Sequence, residues 1–248
     1  MNDKKIFVTT FNHTLFKKYA EKLIDSYINT NQELPLYCYV EDDVNLYPKH
    51  DNIFYLNLYS EQPLCHKFVE RNKKKSLEGS KISYLLDPVR FSYKVFAQSD
   101  ARKYAEQFFF IDADTEFINK IPKSWFEECL PDNVLISIYD RLGYYTEAGF
   151  VGFNSLLLNK KKQKLLDIFF QQYTSYYNYD LIYSLPAFTD CHALDATRFR
   201  FLLLKNYTDD HANYEEKRLG SWIKNQNLDV MLNDNFINKF IIHKKGNK

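Results

Sequence analysis

Short apolar runs alternate with amphipathic segments along the first part of the chain. Ile6–Phe11, Leu36–Val40 and Ile53–Leu58 each have the length and composition of a buried strand. Between the first two runs, apolar side chains recur at helical spacing from Leu15 to Ile28, which predicts an amphipathic helix. Because strands alternate with helices, we expect an α/β fold with a mostly parallel central sheet flanked by helices.

The same alternation continues through the second part of the chain. A helix is predicted from Pro88 to about Tyr104, with proline in the first turn, where its missing N–H is not needed. The apolar runs Phe108–Ile111 and Val134–Tyr139 predict strands, and Leu165–Tyr177 predicts a long helix. The polar segment Arg71–Lys81, which holds three consecutive lysines, predicts a mobile loop.

Composition and charge narrow the class of protein. The 248 residues suit a single domain spanning 1–248. With 33 Lys and Arg against 32 Asp and Glu, the net charge of +1 gives no global positive field for nucleic-acid binding. The four cysteines are widely spaced, which predicts reduced thiols and a cytoplasmic protein. We expect neither a signal peptide nor a membrane span.

Two carboxylates follow the strand Phe108–Ile111 directly. Asp112 and Asp114 are separated by one residue, at the point where a buried strand gives way to a loop. There both can turn onto one hard cation, because Mg²⁺ and Mn²⁺ accept oxygen ligands. In open α/β sheets, ligands bind beyond the carboxyl ends of the strands. We therefore predict a divalent-metal site at this position, able to hold a diphosphate.

A second apolar run, near the end of the sequence, leads into residues that suit the same site. Phe240–Ile242 is followed by His243, Gly246 and Lys248. An imidazole can ligate Mn²⁺, glycine lets the backbone approach phosphate oxygens, and lysine supplies a positive charge. These residues are therefore candidates for holding a metal-bound diphosphate.

One stripe of the helix predicted from Pro88 carries two cations followed by small residues. Arg90, Lys94, Ala97 and Ala101 fall at helical spacing on this stripe. Such a stripe can approach a ligand closely, although it is also typical of an ordinary solvated helix face.

Four motifs occur in the same order as in a known family. The strand followed by Asp112-Ala113-Asp114 is similar to a DxD motif. His243-x-x-Gly246-x-Lys248 is similar to HxxGxxK, although it is one residue shorter before lysine and lacks the following Pro-Trp. EAGFVGFN at 147–154 and RFSYKVFA at 90–97 are similar to the segments ETGFVGFN and RFSxKVFA of bacterial proteins. Together these motifs resemble nucleotide-sugar glycosyltransferases of the GT-A fold, and the motif that begins at His243 resembles that of the glycogenin and lipopolysaccharide galactosyltransferase group.

This resemblance implies a GT-A-like (Rossmann-like) hexosyltransferase that moves a sugar from a nucleotide-sugar donor, UDP-linked by preference, to an acceptor hydroxyl. Asp112, Asp114 and His243 would hold Mn²⁺ or Mg²⁺, which neutralises the departing nucleoside diphosphate. The nucleotide and its phosphates would also contact Thr9, Thr10, Phe11, Arg90, Lys94, Ala113, Gly246 and Lys248.

Two further carboxylates are candidates for the chemistry of such a transferase, one of them in the polar cluster 189–195. Asp190 is the candidate for the residue that faces the reacting sugar, either as a general base or as an electrostatic support, and Glu147 is its competitor. Contacts with the substrate are expected of Gly149, Phe150, His192 and Asp195, with the rings of Tyr144 and Tyr145 as further stacking surfaces.

Two other functions remain open from the sequence. Ile111–Thr115 also matches the hydrophobic-DxDxT motif of haloacid-dehalogenase-like phosphatases, in which Asp112 would be the nucleophile. More than a hundred residues precede the motif here, whereas that family opens its core with the DxD strand. A non-catalytic carbohydrate-binding protein is the third possibility. For a transferase, we expect a glycan acceptor, with a modified nucleobase as the option for a phage or viral enzyme.

Overall fold

Seven strands form a central sheet with two more strands paired beside it. The computed structural model describes residues 3–139, 141, 145–157, 164–206, 224 and 227–244. The described strands are β1 Asp3–Phe11, β2 Leu36–Val40, β3 Ile53–Asn57, β4 Ala105–Ile111, β5 Thr115–Phe117, β6 Val134–Tyr139, β7 Glu147–Asn154, β8 Asn227–Leu232 and β9 Ile241–His243. The order across the sheet is β3-β2-β1-β4-β7-β6-β8, and β5 pairs separately with β9.

Neighbouring strands of the central sheet run parallel except at β7. This strand is antiparallel to both β4 and β6, whereas β3, β2, β1 and β4 are mutually parallel and β6 is parallel to β8. The α/β class and the mostly parallel sheet predicted from the sequence are therefore confirmed.

Helices cover both faces of the sheet. Among the described residues, the helices are α1 His13–Leu15, α2 Glu21–Asn29, α3 Leu58–Glu61, α4 Pro63–Ile82, α5 Pro88–Ala101, α6 Lys123–Cys129, α7 Leu165–Asn178, α8 Asp190–Asn206 and α9 Asp234–Ile237. A π-helical turn, Phe16–Ala20, joins α1 to α2, and 3-10 turns occupy Val44–Leu46, Tyr84–Leu86 and Leu181–Ser184.

The continuous apolar run of β4 supplies both layers of the core. Phe108 and Phe110 pack in the layer with α4, α5, α7 and α8, while Phe109 and Ile111 pack in the layer with α2 and α6. All four side chains are at most 1% exposed. A strand buried on both faces has no polar face to alternate with its apolar one. Because β4 is buried on both faces, it holds Asp112, the residue that follows it, at the edge of both layers of the core.

The predicted mobile loop at Arg71–Lys81 is wrong, because α4 continues to Ile82. Apolar periodicity fails in this segment because two of its inward positions are occupied by Asn72 and Ser76. The Asn72 amide donates to Phe68 O at 3.1 Å, and the Ser76 hydroxyl donates to Asp87. Hydrogen bonds thus satisfy buried polar side chains that a hydrophobic pattern does not register.

The cysteines and the helices concern two further expectations from the sequence. Cys38, Cys65 and Cys129 are buried and free, and Cys191 is free and partly buried. In the part of the chain that the structure describes, no helix combines the length and the apolar character needed to cross a bilayer.

The close packing around Gly152 gives a first testable prediction. It lies in β7 between Phe109 of β4 and Ser137 of β6. A Cβ there would lie 2.3 Å from Ser137 Oγ and 3.2 Å from two carbons of the Phe109 ring. We expect Gly152→Ala to lower the free energy of unfolding by about 1–3 kcal/mol, as overpacking does in other cores. Urea unfolding measures the loss.

A double-variant cycle identifies the atom responsible. Because the nearest atom is Ser137 Oγ, Ser137→Ala in the Gly152→Ala background should recover a measurable part of the loss. An unchanged unfolding free energy in Gly152→Ala, or no coupling between the two positions, would contradict this packing.

Candidate active site

Asp112 extends the ladder between β4 and β7 by one hydrogen bond. Its backbone N–H donates to Gly149 O at 2.9 Å, just beyond the pair Ile111–Phe150. The main chain then turns, and Thr115 N–H donates back to Asp112 O at 3.1 Å. Asp112 and Asp114 therefore lie at the carboxyl end of β4, as the sequence predicted.

The pairing of β5 with β9 brings His243 to these aspartates. Thr115 is the register partner of His243, and Lys244 N–H donates to Asp114 O at 3.0 Å. The imidazole Nε2 lies 3.0 Å from Asp114 Oδ1 and 3.5 Å from Asp112 Oδ2. Two segments more than a hundred residues apart in sequence thus meet at one point.

Glu147 joins the same point through an irregularity in β7. The register between β6 and β7 shifts after the pair Ile138–Val151, so that Tyr139 faces Glu147. Bulges of this kind re-aim side chains, and they are frequent beside active sites. Asp112, Glu147 and His243 offer ligand atoms that all lie within 4.8 Å of one another. Glu147, predicted as a catalytic carboxylate, is therefore placed beside the predicted metal ligands.

Gly149 leaves the space in which these groups meet. A Cβ at Gly149 would lie 2.7 Å from His243 Cε1, 2.9 Å from His243 Nδ1 and 3.0 Å from Asp112 Oδ2. Real Cβ contacts shorter than 3.0 Å essentially do not occur, so a side chain at this position would force the imidazole to shift. This is a positional requirement that the sequence analysis did not identify.

Lys94 stands between two carboxylates from different elements. Its Nζ lies 2.5 Å from Asp112 Oδ1 and 3.5 Å from Asp190 Oδ2, and Asp190 is 1% exposed. Burial raises the pKa of Asp190, and the charge of Lys94 opposes that shift. Burial alone would lower the pKa of Lys94, but Asp112 and Asp190 raise it overall. The lysine therefore stays protonated as the shared counter-ion.

Among the described residues of the site, carboxylates outnumber the lysine and arginine side chains that pair with them. Lys94 pairs with Asp112 and Asp190, Arg141 pairs with Glu147, and Asp114 contacts His243. Burial would lower the pKa of His243, but the hydrogen bond with Asp114 and the charges of Asp112 and Asp114 raise it overall. The arrangement favours additional positive charge. We call these four side chains, Asp112, Asp114, Glu147 and Asp190, the acidic group.

Asp195 and His192 lie in a separate network behind the acidic group. Asp195 accepts from Thr146 N at 3.0 Å and from Arg198 at 2.7 Å, and Arg198 also donates to Asp229 at 2.9 Å. This network fixes the residue that precedes Glu147. Burial lowers the pKa of His192, whose Nδ1 lies 2.7 Å from Thr189 Oγ1 and whose ring contacts the half-exposed Tyr145.

The remaining predicted residues fall in different environments. Thr9 and Phe11 are buried at the end of β1, Thr10 is partly buried, and neither threonine hydroxyl has a hydrogen-bond partner among the described residues. Phe11 packs against Phe16 and Tyr47. Arg90 is exposed one turn before Lys94. Gly246, Lys248 and Tyr144 lie outside the described residues.

A cavity lies beside His243 and Glu147, on the side of these residues that faces away from α5, the helix that carries Lys94. Its volume is about 350 Å³, and Phe150, predicted to contact the substrate, forms part of its wall. Phe150 is nevertheless 5% exposed and packs against Phe109 and Trp125. The other lining residues are Tyr139, Asp234, Ile237, Asn238 and Ile242. The cavity thus combines apolar walls with a few polar groups, as small-molecule sites do.

The fold is similar to those of several glycosyltransferases. The galactosyltransferase LgtC, solved with donor and acceptor sugar analogues, is 14% identical over 86% of this chain and 82% of its own, with a TM-score of 0.47. The bifunctional glycosyltransferase WbbM is 14% identical over 92% of this chain and 45% of its own, with a TM-score of 0.49. Mouse xyloside xylosyltransferase 1 is 12% identical over 70% and 76% of the two chains, with a TM-score of 0.42.

These likenesses concern the layout of the fold. The chain spans less than half the length of WbbM. No protein-family model and no curated protein matches the sequence. Proteins of one fold carry out different reactions, so the function has to be argued from the side chains of the site.

Glu41 is a partly buried carboxyl that the sequence analysis passed over. It follows β2 at the same edge of the sheet as Asp112, and it is hydrogen-bonded by Asn12 and Tyr93. Burial raises its pKa to about 7, while those two hydrogen bonds oppose the shift and the charge of Asp42 adds to it. The only sequence signal was the acidic run that ends the strand.

This shift predicts a pH dependence of stability. The folded state holds the Glu41 proton up to about pH 7, whereas the unfolded state releases it near its ordinary pKa of 4.5. Stability from this group is therefore complete below pH 4.5 and is lost as the pH rises to 7, by about 2 kcal/mol after allowing for partial exposure. Urea unfolding of the wild type and Glu41→Gln between pH 4.5 and 7.5 measures the difference.

The variant provides the control, because glutamine keeps the shape and cannot ionise. The difference in unfolding free energy between Glu41→Gln and wild type should grow in favour of the variant with rising pH. A difference that stays constant across this range would show that Glu41 titrates normally.

Proposed function

We propose that the protein is a divalent-metal-dependent glycosyltransferase that moves a sugar from a nucleotide-sugar donor, UDP-linked by preference, to an acceptor hydroxyl of a glycan. One observation carries the proposal: Asp112, Glu147 and His243 offer ligand atoms within 4.8 Å of one another at the carboxyl end of the sheet. This is where open α/β sheets bind their ligands.

The donor set suits Mn²⁺ or Mg²⁺. Carboxylate oxygens with one imidazole are ligands that Mn²⁺ accepts, and Mg²⁺ is bound through carboxylates and substrate phosphates. Asp112 Oδ1 and Glu147 Oε2 are buried, and each is paired with a cation, Lys94 and Arg141 respectively. The excess of carboxylates over cations among the described residues of the site favours a further bound cation.

Asp112, Glu147 and His243 would hold the ion. Asp114, whose Oδ1 lies 3.0 Å from Nε2 of His243, would either orient the imidazole through this contact or give up the contact and bind the metal itself. When bound, the ion would neutralise the negative charge that develops on a departing nucleoside diphosphate. The backbone at Gly149 keeps the space for the imidazole open.

Lys94 and Asp190 would orient the donor side of the site. The ammonium of Lys94 is held between Asp112 and Asp190, where it could also bind a phosphate oxygen or a sugar hydroxyl. Asp190 is 1% exposed, and a general base must reach the acceptor hydroxyl. Burial therefore favours the role of electrostatic support for Asp190 over that of the base.

The cavity beside Glu147 and His243 is the proposed place for a sugar. Its volume of about 350 Å³ lies in the range of small-ligand sites, which begins at roughly 300 Å³. Asp234 and Asn238 at its wall can hydrogen-bond hydroxyl groups, while Tyr139 and Ile242 provide apolar contact.

Gly149→Ala tests the geometry of the proposed metal site. A Cβ 2.7 Å from His243 Cε1 must displace the imidazole. We expect the affinity for Mn²⁺, measured by calorimetry, to fall at least about tenfold, the size of effect that misplaced ligands produce in other metal sites. Ala148→Gly, which changes the neighbouring residue by the same methyl group, serves as the control. Equal Mn²⁺ affinity in Gly149→Ala and wild type would contradict the site.

A thermal-shift screen of nucleotide sugars tests the proposed reaction. At a concentration 100 times its Kd, a donor that binds only the native state stabilises it by about 2.7 kcal/mol. We expect such a shift with a UDP-sugar and Mn²⁺, its loss with chelator, and its loss in Asp112→Asn. The exposed Asp51→Asn is the matched control and should retain the shift.

The same preparations separate the alternatives. Release of free sugar from the donor in the absence of an acceptor would support transfer chemistry. Turnover of p-nitrophenyl phosphate with Mg²⁺ that is abolished in Asp112→Asn would support the phosphatase instead. Donor binding without any turnover would leave the protein a carbohydrate-binding protein.

A further inference from the structure

Positive charge is concentrated on α4, although the whole chain is nearly neutral. The helix carries six Lys and Arg against two Glu, whereas the complete sequence has 33 Lys and Arg against 32 Asp and Glu. Charge placed on one helix of a neutral protein produces a local field in place of a global one. This helix is the segment for which the sequence predicted a loop.

The basic residues of α4 differ in whether they form an ion pair with a carboxylate. Lys73 pairs with Glu70 at 2.7 Å, and Arg71 pairs with Asp180 at 3.1 Å. Lys74 and Lys81, exposed and seven residues apart, form no ion pair among the described residues. Positions seven apart lie two turns apart on one line along a helix. They are therefore free to bind an external anionic surface together.

Large apolar side chains are exposed beside these lysines. Leu77 is 65% exposed, Ile82 81% and Tyr84 60%. Leu77 follows Lys74 by three residues and precedes Lys81 by four, so that it lies next to both on the helix surface. We call Lys74, Leu77, Lys81, Ile82 and Tyr84 the α4 tip.

The α4 tip is held in one conformation by close packing. A Cβ at Gly79 would lie 2.1 Å from Leu86 O, so the turn Tyr84–Leu86 rests directly on the last turn of the helix. Ser83 N–H donates to Gly79 O at 3.0 Å, and the side chain of Ser83 accepts from Leu85 N–H. The exposed apolar side chains are thus presented by a folded element.

The α4 tip and the acidic group lie at the same edge of the sheet. The helix α5 begins at Pro88, just after the tip, and runs back toward the start of β4 at Ala105. Its second turn carries Lys94, which contacts Asp112 at the carboxyl end of β4. The tip therefore adjoins the N-terminal end of α5, the helix that carries Lys94.

We propose that the α4 tip docks the protein on an anionic membrane surface. Lysines beside exposed leucine, isoleucine and tyrosine match the two components of such a surface, the anionic headgroups and the acyl boundary. Nucleic acid would use the lysines, but it offers the aliphatic side chains nothing comparable. This inference goes beyond the proposed transfer reaction. Only its consequence, an acceptor anchored in the membrane, rests on that function.

Sedimentation of the full-length protein with lipid vesicles tests the proposal. We expect binding to vesicles containing phosphatidylserine and little binding to vesicles of phosphatidylcholine alone. Each lysine near an anionic surface contributes about fivefold in affinity, so Lys74→Gln with Lys81→Gln should weaken binding about 30-fold. Leu77→Ser with Ile82→Ser should weaken it at least about tenfold.

A matched control uses lysines of the opposite face of the sheet. Lys18→Gln with Lys22→Gln removes the same charge from exposed positions in and next to α2, and it should leave vesicle binding unchanged. All variants replace exposed side chains, and thermal unfolding confirms that each is folded. Equal losses in the tip and control variants would overturn the proposal, because they would show a response to net charge alone.

Two further outcomes decide against a membrane. Equal binding to phosphatidylcholine vesicles would remove the role of the lysines. Two results together would assign the surface to a polyanion. Heparin or duplex DNA would bind at the tip in a way that depends on Lys74 and Lys81, and vesicle binding would not depend on Leu77 and Ile82. Because vesicle binding requires neither donor nor metal, its failure is independent of the donor-binding experiments.

Discussion

The site depends on the absence of a side chain at Gly149. Three segments meet there: the end of β4 with Asp112, the bulged strand β7, and β9 with His243. Protein interiors are packed without room to spare, so a single methyl group at the crossing would separate the imidazole from the carboxylates. The backbone hydrogen bond from Asp112 to Gly149 fixes the same crossing from the other direction.

Two networks of charged residues at this edge of the sheet differ in how their carboxylate oxygens are paired. Asp195 accepts hydrogen bonds on both carboxylate oxygens, from Thr146 and Arg198. In the acidic group, the buried oxygens Asp112 Oδ1, Glu147 Oε2 and Asp190 Oδ2 are paired in the described part of the chain with the cations Lys94 and Arg141. The first network is therefore satisfied by hydrogen bonds on both oxygens of one carboxylate, whereas the second depends on cations that several carboxylates share.

Much of the fold follows from local pattern, and its failures have identifiable causes. The strands β2 and β6 have the predicted bounds, because continuous apolar runs leave no competing interpretation. The helix α4 was missed because Asn72 and Ser76 occupy inward positions, where their partners, including Asp87 and Asp180, lie far away in sequence. For the site, the motif around Asp112 was recognisable, since a buried strand ending in paired carboxylates is a local feature. The position of Glu147 beside His243 depends on a register shift that no local pattern encodes.

The sequence by itself determined the α/β class, the strand end at which Asp112 and Asp114 lie, and the residue types able to hold a divalent cation. These properties arise from side chains close together in the chain, where periodicity and strand ends are visible. Only the tertiary structure decided which carboxylates share a point in space, that Lys94 pairs with two of them, and that Glu41 is partly buried with a raised pKa. Distances and burial between remote residues follow from strand order, bulges and close packing, which are properties of the folded chain as a whole.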